Sequence, residues 1–297
     1  MPSEEFNSLL ELLLSRPQPE NPTIDEMRTL MEKAAKFFDL PAGVTCESTD
    51  AGGVRGEWII PEVVEGNRTI FYLHGGGYAI GSLSTHRHLV ALLAQAAKAR
   101  ALAVDYRLAP EHPFPAAVDD ATAAYRWLLS QGTDADDIVI AGDSAGGGLA
   151  IATQLTLRDA GDALPAASVC FSPWVDMDCN SESMTTSKTD PLIQQSQIQQ
   201  FTTWYLNGAD PKSPLAAPIH ADLSGLPPML IHASTAEALL DDSVQLADRA
   251  RTHGVDTTLD TWDDMIHVWH YYAPIIPEGR DAVERAAAFI RERVAPV

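Results

Sequence analysis

From residue 67 onward, short apolar runs alternate with longer stretches whose apolar residues recur every three to four positions. The runs Thr69–Leu73, Leu102–Tyr106, Ile138–Ala141, Ser168–Phe171, Met229–Ala233 and Thr257–Trp262 have the length and residue types of strands. Between and after them, His86–Lys98, Pro115–Ser130, Gly147–Arg158, Asp242–Thr252 and Asp281–Arg293 carry the helical period. This alternation predicts an α/β fold, a mostly parallel central sheet flanked by helices on both faces.

Two stretches break the pattern. In residues 1–40, Ile24, Met27, Leu30, Met31, Ala34 and Phe38 recur at helical spacing behind a Thr23-to-Glu26 capping box. Met1–Ser15 also reads as a helix, because Glu4, Glu5 and Glu11 interrupt its leucines where a secretory signal needs a basic start and an unbroken apolar middle. The second break, Asp176–His220, is rich in Ser, Thr and Gln yet places Ile198, Phe201, Trp204 and Tyr205 at helical spacing. It is too long for a plain connection and has the character of a lid or binding element. The expected organisation is an N-terminal helical segment over 1–45 and a sheet-and-helix domain over 46–297, with the insert at about 176–220.

Composition narrows the function. No apolar run reaches the ~18 residues of a membrane span, and 41 acidic against 20 basic residues give a net charge of −21. Such a surface repels phosphate backbones and anionic lipid, so neither nucleic-acid binding nor membrane insertion is expected. Cys46, Cys170 and Cys179 are odd in number and lack metal or disulfide spacing, which fits a reducing, cytoplasmic setting.

Chemistry concentrates around Gly142-Asp143-Ser144-Ala145-Gly146, a G-x-S-x-G sequence placed between a predicted strand and a predicted helix. A serine on so tight a turn needs glycines two residues before and after it, where side chains would clash. The following helix would aim its N-terminal amides at developing negative charge. Upstream, His74-Gly75-Gly76-Gly77 directly follows the strand Thr69–Leu73. Side-chain-free backbone there suits N–H donors to a tetrahedral oxyanion, each such donor contributing about 3–4 kcal/mol when tested by removal. No Gly-Lys-Ser/Thr follows, which disfavours a phosphate loop.

A serine nucleophile needs a base, and the base an orienting acid. His267, shortly after the last predicted strand, is the candidate base, with His270 its nearest rival. After the strand Met229–Ala233 come three carboxylates, Glu237, Asp241 and Asp242. Glu237 is preferred because Asp241 and Asp242 sit where a helix begins and capping accounts for them. His86 and His88 have some look of a metal pair but lack further ligands nearby, so no metal is expected.

These stretches, with Tyr106–Ala117 and Asp264-Met265-Ile266-His267, resemble the hormone-sensitive-lipase-like bacterial carboxylesterases of the α/β-hydrolase superfamily. The resemblance runs from about Glu57 to the C-terminus, and the N-terminal helices look like that family's cap. It implies Ser144 as nucleophile, His267 as base, and an oxyanion hole from the amides of Gly76, Gly77 and Ala145. Members usually carry aspartate followed by Pro-Leu at the acid position, where this chain has Glu237-Ala238-Leu239. The run Tyr106–Ala117 is implied to be structural despite its charges.

The resulting expectation is hydrolysis of short-chain carboxylic esters, acetate to hexanoate, through an acyl-enzyme and without a cofactor. Phe201, Trp204 and Tyr205 are candidates for the substrate pocket, with packing of the lid as the alternative. A lactonase or an amidase would use the same chemistry. A non-catalytic small-molecule receptor would have no use for His267. The implied partner is a small ester, and a homodimer is compatible with the resemblance.

Overall fold

The computed structural model describes residues 1–16, 22–187 and 190–295. Among these, eight strands form one sheet: β1 (Val44–Asp50), β2 (Arg55–Pro61), β3 (Thr69–Leu73), β4 (Arg100–Val104), β5 (Ile138–Asp143), β6 (Ala167–Phe171), β7 (Met229–Ser234) and β8 (Thr257–Trp262). They lie in the order β1-β2-β4-β3-β5-β6-β7-β8, with β1–β2 and β2–β4 antiparallel and the other pairs parallel. The helices are α1 (Glu4–Ser15), α2 (Ile24–Ala35), α3 (Leu83–Ala97), α4 (Ala116–Ser130), α5 (Ala145–Ala160), α6 (Glu182–Thr186), α7 (Gln195–Leu206), α8 (Leu240–Thr252) and α9 (Pro277–Arg293).

All six strands expected from the sequence are present, and β1 and β2 are additional. The expected strand Leu102–Tyr106 is shifted: β4 starts at Arg100 and leaves the sheet after Val104. Tyr106 instead donates its hydroxyl to the His74 carbonyl at 2.7 Å, outside the ladder. The Thr23–Glu26 capping box forms as expected and starts α2.

Alternation in the central strands places two cores. Phe71, Leu73, Ile138 and Ile140 face one side, under α4 and α5, while Ile70, Tyr72, Val139 and Ala141 face the other, under α3 and α9. From β3 the chain turns one way to β4 and then back across to β5, so the C-terminal ends of β3 and β5 flank the crevice where ligands bind in open α/β sheets.

The N-terminal helices are fastened to the body at specific points. In α1, Phe6, Leu9 and Leu13 pack with Met265, Ile266 and Trp269, the residues on either side of His267. In α2, Arg28 makes paired 2.7 Å contacts to Glu111 and donates to the Ala79 and Ala109 carbonyls, each at 3.0 Å. The Arg28 contact holds the Glu111 carboxyl down at about 2. Arg107 is spent similarly on Asp120. The charged run Tyr106–Ala117 therefore works in fastening.

Candidate active site

Ser144 alone makes the turn from β5 to α5. Its φ of 52° and ψ of −122° lie where side-chain-bearing residues are rare. Backbone bonds hold it there: its N–H donates to the Phe171 carbonyl at 2.8 Å, and its carbonyl accepts from Gly147 and Trp174 at 3.0 Å. A Cβ on Gly146 would strike the carbonyls of Leu73 and His74, and one on Gly142 the carbonyl of Gly146. The two motif glycines are thus required by close approach.

The loop after β3 comes alongside. Gly76 and Gly77, at φ 118° and 59°, border the same cavity as Ser144. Among the described residues their N–H groups donate to nothing, and the N–H of Ala145, first in α5, has no intrahelical acceptor. Asp143 fixes this loop: its carboxylate accepts from Gly75 N–H at 3.0 Å and the Tyr72 hydroxyl at 2.7 Å, with His86 Nε2 at 3.2 Å. Burial alone would raise the Asp143 carboxyl, but His86 and Tyr72 hold it below its ordinary value.

His267 reaches the cavity from the turn after β8. Its Nδ1 lies 2.7 Å from Glu237 Oε2, with residue exposures of 6% and 1%. Glu237 is itself held through Oε1, which accepts from Ser234 N–H at 2.7 Å and the Ser172 hydroxyl at 3.0 Å. A carboxylate acceptor puts the imidazole proton on Nδ1 and leaves Nε2 as the basic nitrogen. That nitrogen makes no hydrogen bond to a described residue, Ser144 included. Burial lowers the His267 pKa, but Glu237, then Asp190 and Asp143, outweigh it and raise the value above the ordinary one.

The cavity, of about 910 Å³, is bordered by Ser144, His267, Gly76 and Gly77 below and by α2 and α7 above. Of the three pocket candidates from α7, only Phe201 lines it. Tyr205 is stacked on Tyr78 with ring centroids 3.8 Å apart, and Trp204 packs beside Phe201, so the expectation of a three-residue aromatic lining is corrected to one. Helical spacing put all three on the buried side of α7, but that side divides between cavity and core.

Residues 70–271, more than half of the chain, match the family of the alpha/beta hydrolase fold. An acetyl-hydrolase of Streptomyces hygroscopicus is 45% identical over 295 residues, covering 98% of this chain and 97% of that protein. Carboxylesterase NlhH of Mycobacterium tuberculosis is 35% identical, covering 80% of this chain and 77% of its own. The crystal structure of an esterase from the bacterial hormone-sensitive lipase family matches with TM-score 0.96 at 44% identity, over 99% of this chain and 100% of the other. The chain belongs to the hormone-sensitive-lipase-like carboxylesterases.

In this carboxylesterase the rival residues have other duties. His270 is turned into the core, its Nε2 2.9 Å from His232 Nδ1 and its ring stacked on Phe171. Asp241 and Asp242 lie inside the first turn of α8 without capping it. They bind the connection between β6 and β7 instead: Asp241 accepts from Ser183 N–H at 2.8 Å, and Asp242 from Val175 and Asp176 N–H at 2.9 and 3.0 Å. His86 and His88 do not converge, since His88 Nε2 is directed at the Tyr271 carbonyl. Among the described residues, the one group of three or more such side chains whose ligand atoms all come within 4.8 Å of one another is Asp176, Asp178 and His220, away from the cavity.

Sequence reasoning missed Asp190. Its Oδ2 accepts the His267 backbone N–H at 2.8 Å and its Oδ1 that of Leu192 at 2.9 Å. Nothing local distinguishes it from the other polar residues of the insert.

Proposed function

We propose that this carboxylesterase cleaves short-chain acyl esters by two-step transfer through Ser144, with His267 as base and Glu237 as its acid. The Ser144 hydroxyl attacks the ester carbonyl carbon while its proton passes to His267 Nε2. The oxyanion takes the amides of Gly76, Gly77 and Ala145. Collapse expels the alcohol, which leaves with the imidazolium proton. A water activated by the same imidazole then releases the carboxylic acid and restores the serine.

The observation that carries this reading is the buried Glu237–His267 bond of 2.7 Å, opening on the cavity that Ser144 borders. Short chains are supported by the acetyl-hydrolase relative and by the related EstE5 structure, TM-score 0.95 at 45% identity over 99% of each chain, which was soaked by p-nitrophenyl butyrate. Residues 1–45 and the 176–220 insert act together as a cap, since α1, α2 and α7 all contribute to the cavity wall. The three cysteines are free, in keeping with a reducing, cytoplasmic setting.

Hydrolysis of p-nitrophenyl acetate, butyrate, octanoate and palmitate by wild type and Ser144→Ala tests the proposal. The expected result is a butyrate rate well above palmitate and loss of activity in the variant. A palmitate preference would remove the short-chain assignment, and an active Ser144→Ala would remove the nucleophile.

A further inference from the structure

The segment between β6 and β7 contributes a carboxylate to the base as well as a wall to the cavity. Asp190 is 3% exposed and uses its two oxygens on two different chain segments. Oδ1 closes a turn on the N–H of Leu192, and Oδ2 takes the N–H of His267. The residues that follow it, Pro191, Leu192 and Ile193, border the cavity directly. A single side chain therefore joins the wall that substrate would touch to the main chain of the imidazole.

That main chain needs fastening. Val268, immediately after His267, sits at φ 49°, a conformation a β-branched residue rarely adopts and that persists only where neighbours enforce it. Two contacts do so, Asp190 at the His267 N–H and the Ser172 hydroxyl at the Val268 N–H, the latter long at 3.4 Å. Without Asp190 the turn would be free to relax towards ordinary backbone, carrying Nδ1 away from Glu237.

We propose that Asp190 is a positioning residue for His267, through which the insert must be seated before the base is correctly placed. The inference rests on His267 being the base. Ordering of Pro191–Ile193 against a substrate is then transmitted to the imidazole through one carboxylate.

A carboxylate also does what a neutral acceptor would not. The titratable groups facing the imidazole are Glu237 from the β7–α8 loop, Asp143 from the end of β5, Asp190 from the insert and His270 on its own segment. Those facing Asp190 are His267, Glu237 and Tyr272. Burial raises the Asp190 carboxyl above its ordinary value, and the charge of a protonated His267, with the amides of Leu192 and His267, pulls it back in part.

The test compares Asp190→Ser and Asp190→Asn with wild type and Ser144→Ala, using p-nitrophenyl butyrate. Serine can still cap the Leu192 turn but does not reach His267, while asparagine keeps the size and removes the charge. We expect kcat to fall about 10- to 100-fold in both with little change in KM, as for a misplaced catalytic group. The acid limb of the kcat/KM profile should move down by roughly half a pH unit or more, because one of the carboxylates favouring the imidazolium is gone. A merely structural role would lower the melting temperature and leave the limb in place, which would overturn the proposal. Unchanged kcat and limb with Ser144→Ala inactive would overturn it while sparing the proposed nucleophile; an active Ser144→Ala would instead strike the mechanism itself.

Discussion

Glu237 Oε2 stands 2.7 Å from His267 Nδ1 in a place almost sealed from solvent, and its other oxygen is already committed to Ser172 and Ser234. The glutamate is thus fixed at both ends of its carboxylate, which compensates for the extra methylene relative to aspartate. Glu237→Gln should keep the shape and lose the charge. The amide can also present N–H to Nδ1 and favour the wrong tautomer, so kcat should fall about 10³- to 10⁴-fold. Glu237→Asp should fall less, because only the reach is shortened. Steady-state kinetics of the pair decides: equal losses would mean that geometry, not charge, is what the acid supplies.

The acid limb of the pH profile should lie above the ordinary histidine value of about 6.5. Burial pulls the His267 pKa down, while the Glu237 bond and the Asp190 and Asp143 charges more than offset it. In the proposed mechanism only neutral Nε2 takes the serine proton, so activity should rise as pH passes upward through that raised value. A kcat/KM titration with p-nitrophenyl butyrate measures it. A midpoint below 6.5 would mean that desolvation wins over the carboxylates.

The parts of this site that were legible in the sequence are those whose backbone geometry demands particular residues. Gly142 and Gly146 are enforced by carbonyls at contact distance, and Gly75, Gly76 and Gly77 by the close approach of Asp143, Ile80 and Phe201. Parallel strands β3, β5 and β6 are buried on both faces and so read as continuous apolar runs. By contrast, β1 buries only Val44 among Val44–Asp50, since it is an antiparallel edge strand whose hydrogen bonds are made by backbone regardless of side chain. Asp190, Asp241 and Asp242 were illegible for a related reason. Each binds amide N–H groups from elements far along the chain, and local spacing says nothing about which segment a carboxylate will meet.

Phe201 is the expected gate on acyl length. Its ring packs so closely on Gly77 that a Cβ added to that glycine would collide with it. The same ring borders the cavity beside the proposed oxyanion site. Phe201→Ala should open space there and raise the octanoate-to-butyrate ratio of kcat/KM by about tenfold or more, the usual worth of a few methylenes in an apolar pocket. Gly77→Ala should instead lower kcat. It must displace the ring and hold alanine at φ 59°, and disturbing the proposed oxyanion donor should cost about 10²- to 10³-fold in kcat. A chain-length profile of Phe201→Ala indistinguishable from wild type would place the acyl chain elsewhere in the cavity.

Asp242 sets a limit on stability at alkaline pH. It is 1% exposed, and burial pushes its carboxyl up to about 7 even though two backbone N–H donors from Val175 and Asp176 pull the other way. An unfolded aspartate titrates near 3.9, so between about pH 4 and 7 the folded chain holds a proton that the unfolded chain has released. Folding stability from this group is therefore full below about pH 4 and declines as pH rises through 7. Asp242→Asn keeps an oxygen acceptor for the two amides and cannot ionise. Its melting temperature should exceed that of wild type at pH 8.5 by about 2–4 °C for each kcal/mol of relief, with the gap much narrower at pH 5 and gone only below about pH 4. If the gap is the same at both values, the carboxyl is not carrying a penalty for ionising, and the amides of Val175 and Asp176 hold its charge as well as water does.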